Sequence, residues 1–302
     1  MSDFIYKLGK LPATYDNRDI RWTNLKQDSS AIHQKAKSIC EIRDDAALPS
    51  IPNPHGGYGT EFPGGVWPGW GMYANGPCDD NTIPSSWYAY NGVGCCAWSG
   101  PGHETMTTDK NGGRTVAKFT CLNIANQYAE YLGLKSAQDL SASNDQGSQV
   151  RDVLQWRATK GLLDASGQTH KVGVYVALEP TNLQDLWEAL WLFECVGIGI
   201  NFPGSAMDQF NAGQIWSVVN GAQIEGGHYI PLVGHPVSSA WTCVTWGKRQ
   251  MMTNQFIQTY CDEAWAYITP ERYNEVTGDT LQGYNDADLE KFISLVGTAP
   301  TS

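Results

Sequence analysis

The sequence predicts an α+β fold of two lobes, helical first and antiparallel β second. Three patterns predict it: apolar residues at helical spacing after Cys96, short apolar runs between turn residues beyond residue 196, and neither period before residue 95. In the helical half, the chain turns into a helix at Cys96 that runs through Met106. A second helix covers 115–134, where Val116, Phe119, Ile124 and Tyr128 recur, and a third covers 148–161. Pro180-Thr181 opens a fourth, carrying Leu183, Leu186, Trp187, Leu190 and Trp191 and ending at Gly197. Strands are predicted at 196–202, 228–234, 241–246 and 264–268, with a helix over 253–262 and a last helix capped by Asp286 or Asp288.

Residues 1–95 read as an irregular arm packed on a core formed by 96–302. Pro12, Pro49, Pro52, Pro54, Pro63 and Pro68 break any long period and leave one short helix near 30–42, while Tyr58, Phe62, Trp67 and Trp70 argue against a free linker.

Composition excludes several function classes. With a formal net charge of −11 and no Lys/Arg cluster, the 302-residue chain predicts no nucleic-acid partner and no anionic membrane surface. The start of the sequence shows no apolar signal core, and no apolar stretch reaches membrane-spanning length. That predicts a soluble protein in a reducing compartment, with most of its eight cysteines as buried thiols. Zinc-type cysteine spacing, phosphate loops and dinucleotide fingerprints are absent, so no cofactor or metal is expected.

Three strings carry chemistry. Asn91-Gly92-Val93-Gly94-Cys95-Cys96-Ala97 is a glycine-rich turn delivering Cys96 to a helix N-terminus, whose unpaired amides favour a thiolate. Gly226-Gly227-His228-Tyr229-Ile230 places His228 at the head of an apolar strand. Cys243-Val244-Thr245-Trp246-Gly247 can fold back on that strand, and a hairpin centred on residue 236 sets Val244 beside His228, with Thr245 facing away. Taken singly, Cys96 and His228 each read more readily as a buried structural residue than as a catalytic one. Of the remaining histidines, His103 reads as packing or hydrogen-bonding, and His33, His55, His170 and His235 as surface or loop residues.

In this order the strings resemble the papain-like (C1-type) cysteine peptidases. Their Gly-x-Cys-Trp turn is similar to Gly94-Cys95-Cys96-Ala97, their Gly-His-Ala-Val strand to Gly227-His228-Tyr229-Ile230, and their Asn-Ser-Trp-Gly to Val244-Thr245-Trp246-Gly247. Positions 96 and 228 lie 132 residues apart, within the roughly 130–150 of papain-type enzymes. The runs Val153-Leu154-Gln155-Trp156-Arg157 and Gly199-Ile200-Asn201-Phe202-Pro203 further resemble a divergent branch found in tailed bacteriophages.

The resemblance implies a helical lobe carrying Cys96 as nucleophile and a β lobe carrying His228 as base, with Asn91 standing in for the missing oxyanion glutamine. Val244 replaces the family's asparagine and cannot hydrogen-bond the imidazole. Two functions follow: a cysteine peptidase or amidase acting on a peptide or protein, or an inactive papain-fold virion component contacting neighbouring capsid or tail subunits. The implied location is the host cytoplasm during synthesis, and the virion.

Overall fold

The computed structural model describes residues 7–14, 16, 19–23, 92–237, 239–272 and 278. Asn91, His33, His55, most of the arm and the helices predicted near 30–42 and after Asp286 or Asp288 lie outside the described residues.

The helical lobe is built on α1 (Cys96–Asn111), which is buried from Cys96 to Asp109. A helix so enclosed must satisfy its own polar side chains, and its threonines do this by back-bonding: Thr105 to the Pro101 carbonyl at 2.9 Å and Thr107 to the His103 carbonyl at 2.8 Å. Around it pack α2 (Cys121–Tyr131) and α3 (Val150–Thr159). The predicted helix 115–134 shortens at its start, because the Thr120 hydroxyl accepts the Asn123 amide at 3.1 Å and so caps α2 there. After a two-stranded ribbon, β1 (Leu162–Leu163) with β2 (Thr169–His170), the chain enters the main sheet.

That sheet has six strands: β3 (Val174–Leu178), β4 (Val196–Pro203), β5 (Ile224–Val237), β6 (Ala240–Thr245), β7 (Lys248–Thr253) and β8 (Cys261–Ile268). Their order is β3-β8-β4-β5-β6-β7, with antiparallel pairings throughout. The helices α4 (Leu183–Phe193), α5 (Gly204–Asn211) and α6 (Asn254–Tyr260) interrupt it. Alternation along β5 divides the core: Tyr229 and Val233 join the layer around α1–α3, while Ile230 and Leu232 join a second cluster with α4, Trp216 and Phe256. The architecture is therefore two-lobed α+β, as its sequence pattern predicts.

Four features differ from expectation. The helix α4 ends at Glu194, which takes the left-handed conformation (φ 70°), while Gly197 lies inside β4, where a Cβ would stand 1.7 Å from the Tyr229 hydroxyl. The short elements β3, α5 and β7 are too brief or too polar to stand out by periodicity. His170 and His235 are buried rather than superficial. Cys95, Cys96, Cys195, Cys243 and Cys261 are buried free thiols, as expected of most of the cysteines, while Cys121 departs from that pattern in being disulfide-bonded.

Candidate active site

Cys96 occupies the first position of α1, directly after a turn whose geometry is fixed from outside. The Gly94 amide donates to Asp145 Oδ2 at 2.8 Å, the Tyr128 hydroxyl donates to Asp145 Oδ1 at 2.5 Å, and the Gly147 amide donates back to the Tyr128 oxygen at 2.7 Å. The open first turn of α1 leaves amides without intrahelical acceptors beside the sulfur. From the β lobe, the Tyr229 amide donates to Cys96 Sγ at 3.4 Å. The sulfur thus rests against the peptide that joins His228 to Tyr229.

His228 and Cys96 line one small cavity together with Gly100, His103, Val244, Thr245 and Trp246. The His228 ring lies flat on Trp246 (centroids 4.6 Å apart, planes at 14°) and edge-on to Phe202. Its Nε2 is hydrogen-bonded to Thr245 Oγ1 at 2.7 Å, and its Nδ1 is buried with no hydrogen-bond partner. When Nε2–H donates to Thr245, Nδ1 keeps a lone pair, as a base for a thiol proton requires.

This corrects the expected alignment of β6. A hairpin centred on 236 would pair 232 with 240, whereas the structure pairs Leu232 with Cys243, and irregularities in β5 shift the register twice before Val237↔Ala240. A slip by an odd number of residues exchanges the faces of a strand. Thr245 therefore meets the imidazole, and Val244 packs in the layer around α1. Trp246 and Gly247, at φ 45° and 70°, turn the chain from β6 into β7. A tryptophan in that conformation is strained by about 1–3 kcal/mol, and its ring is the one that lies flat on His228.

The seam between the lobes is occupied by the chain's own residues 8–11. The Lys10 amide donates to the Gly227 carbonyl at 3.0 Å, the Leu11 amide to the Ser148 carbonyl at 2.9 Å, and the Ser148 amide to the Gly9 carbonyl at 2.8 Å. Both lobes thus hold one extended segment as though it were a strand between them. The Lys10 ammonium is buried against Asp262 Oδ2 at 2.9 Å and Glu263 Oε1 at 3.2 Å.

Burial dominates the electrostatics. It pushes the Cys96 thiol up, although the amides of Tyr229, Gly9 and Ala97 and the charge of Lys10 all favour the thiolate, so the helix-terminus effect anticipated from sequence is outweighed. Burial likewise pushes His228 down to about 3. Near neutral pH the two groups are a neutral thiol and a neutral imidazole.

The predicted pair Cys96 and His228 is therefore brought together, while Asn91 lies outside the described residues. Sequence reasoning passed over Asp145, Ser148, Gly9 and Lys10. For Asp145 and Ser148 the one local signal is the polar, glycine-containing run Asp145-Gln146-Gly147-Ser148, which reads as a loop and no more; Gly9 and Lys10 carry none.

Fold and cavity together define a papain-like architecture. Solved structures agree with it: xylellain, a cysteine protease from Xylella fastidiosa, superposes with a TM-score of 0.56 at 12% identity, covering 87% of this chain and 96% of that one. Weaker likenesses include procathepsin B S9 from Trypanosoma congolense (TM-score 0.44, 9% identity, 59% of this chain and 70% of that one). Another is digestive procathepsin L 3 of Tenebrio molitor (TM-score 0.40, 12% identity, 82% and 97%). No family model and no curated protein matches the chain. These neighbours lend no support to the tailed-phage branch. Among the described residues, no helix is long and apolar enough to cross a membrane.

Proposed function

We propose that the chain is a papain-like cysteine peptidase held latent by its own residues 8–11. The observation that carries this reading is the convergence of Cys96 and His228 on one cavity, with Thr245 on Nε2 and Nδ1 left for the thiol. In the working state His228 Nδ1 takes the Cys96 proton, the sulfur attacks a peptide carbonyl, and the amine leaves with that proton. Water then cleaves the thioester, releasing the acid and restoring the thiol. First-turn amides of α1 are the donors available to the developing oxyanion.

The seated segment opposes this chemistry geometrically. Gly9 turns its amide toward the sulfur and gives its carbonyl to the Ser148 amide, so this residue presents an N–H rather than a carbonyl to Cys96. Latency also accounts for a neutral, buried Cys–His pair.

A test compares hydrolysis of a fluorogenic peptide pool by the Gly9→Ala chain and by the same chain carrying Cys96→Ala or His228→Ala. Hydrolysis abolished by either change supports the reading; equal hydrolysis in all three overturns it. An inactive virion component that reuses the fold is the second reading drawn from the sequence, and no feature of the site favours it.

A further inference from the structure

Lys10 sits in a made pocket. Its side chain is fully buried, yet Glu263, the carboxylate beneath it, is only 1% exposed, an arrangement that is costly for an acid unless a cation is supplied. The Trp265 indole donates to Glu263 Oε2 at 2.9 Å, which leaves Oε1 aimed at the ammonium. Asp262, partly open to solvent, closes the rim. The wall is Gly199: a Cβ there would lie 2.1 Å from Lys10 Cε and 2.6 Å from Glu263 Cγ, so only glycine leaves room for a long aliphatic stem. The mouth opens beside Gly227, the residue before His228, whose carbonyl holds the Lys10 backbone.

We infer that Gly199, Asp262 and Glu263 form a specificity pocket for a basic side chain, and that a lysine or arginine of a peptide substrate fills it when Lys10 leaves. The inference rests on the peptidase reading and names its substrate class. An extended chain that uses the Gly227 carbonyl as Lys10 does delivers one side chain to this pocket, next to the reacting sulfur. Leaving the pocket empty strands a buried carboxylate, so an incoming cation is favoured over an apolar or acidic side chain. The formal charge of −11 draws cationic peptides in the same direction.

The test uses the full chain with Gly9→Ala, and as probes acetyl-Leu-Gly-Lys-Leu-amide and its Arg, norleucine and Glu analogues. Protection of Cys96 from iodoacetamide reads occupancy, whether or not the peptide is cut. Lys and Arg probes should protect at concentrations about tenfold or more below norleucine, and Glu263→Gln or Asp262→Asn should narrow that gap while the melting temperature certifies folding. Equal protection by Lys and norleucine overturns the pocket. Peptide-pool turnover without a basic preference also overturns it and leaves the hydrolase standing. Lys-selective protection without any turnover supports the pocket and removes the hydrolase.

Discussion

Substituting Gly9 with alanine should unmask Cys96. A Cβ at residue 9 would stand 1.8 Å from the Gly94 carbonyl oxygen, 2.1 Å from its carbon and 2.5 Å from its Cα. All three are backbone atoms of the turn that carries the cysteine, and Asp145 anchors that turn, so the segment must lift instead. Lifting it gives up three backbone hydrogen bonds, from Lys10 to Gly227, Leu11 to Ser148 and Ser148 to Gly9. At about 0.5–1.5 kcal/mol net apiece the loss is about 1.5–4.5 kcal/mol. The fraction of molecules with an open cleft then rises by a factor between about ten and about two thousand. The assay is the rate of iodoacetamide modification of Cys96 at neutral pH, mapped by peptide mass, with buried Cys195, Cys243 and Cys261 as internal controls. An unchanged Cys96 rate in a folded variant would refute the latency argument. A parallel rise at all four thiols would show loosening of the whole fold and refute it equally.

Three further outcomes are expected. In the Gly9→Ala background, Thr245→Val should lower kcat by about tenfold to a hundredfold with KM little changed, because the imidazole loses its hydrogen-bond partner. Thr245→Ser should restore most of it; a wild-type kcat in the valine variant would exclude Thr245 as the group that orients His228. Glu104→Gln should cost about 3–5 kcal/mol in urea unfolding, since it strips the counter-charge from Arg157, buried 2.7 Å away. His170, gripped by Glu271 at 2.9 Å and Asp164 at 3.4 Å and facing Asp109, has its pKa raised against the opposing effect of burial. Its stabilisation is therefore full below the ordinary value of 6.5 and lost as pH climbs through the raised one. The melting-temperature gap between wild type and His170→Gln should narrow from about pH 6 to about pH 9, and a constant gap would exclude the linkage.

The parts legible in sequence were those written in local periodicity. The α4 helix, β4 and β8 announce themselves through apolar spacing, and Cys96 with its helix and His228 through the turns that precede them. The His228 orienter was not legible, because its identity depends on a strand register that slips by an odd number of residues, and irregularities within β5 leave no trace in a hydrophobic pattern. The blocking segment was hidden for a different reason. Gly9 and Lys10 belong to the cleft through residues such as Gly94, Ser148, Gly227, Asp262 and Glu263, contacts far apart in sequence. Lys10, which no local pattern singles out, is among the most enclosed cations described. Buried His170 and His235 deceived: a polar residue next to a short strand looks exposed until its partners are known.

How the cleft opens follows from what joins the lobes. Glu104 of α1 accepts the Tyr229 hydroxyl at 2.7 Å, the Tyr267 hydroxyl at 2.6 Å and Arg157 at 2.7 Å, tying two sheet strands and α3 to the helix that carries Cys96. All four groups are buried, so separating the lobes would strand a carboxylate and a guanidinium without water or partner. The segment 8–11, by contrast, is held by three backbone hydrogen bonds, the Gly9 amide on Cys96 Sγ, one lysine and the half-buried Leu8. The cheaper motion is departure of the segment across a seam whose two sides stay fixed. Tyr229 belongs to both arrangements, its hydroxyl in the buried network and its amide on Cys96 Sγ. Tyr229→Phe should therefore weaken the network while leaving that amide in place, giving a destabilised protein whose Cys96 stays as protected as in wild type. Rapid labelling of Cys96 in a folded Tyr229→Phe protein would mean that the lobes themselves move apart.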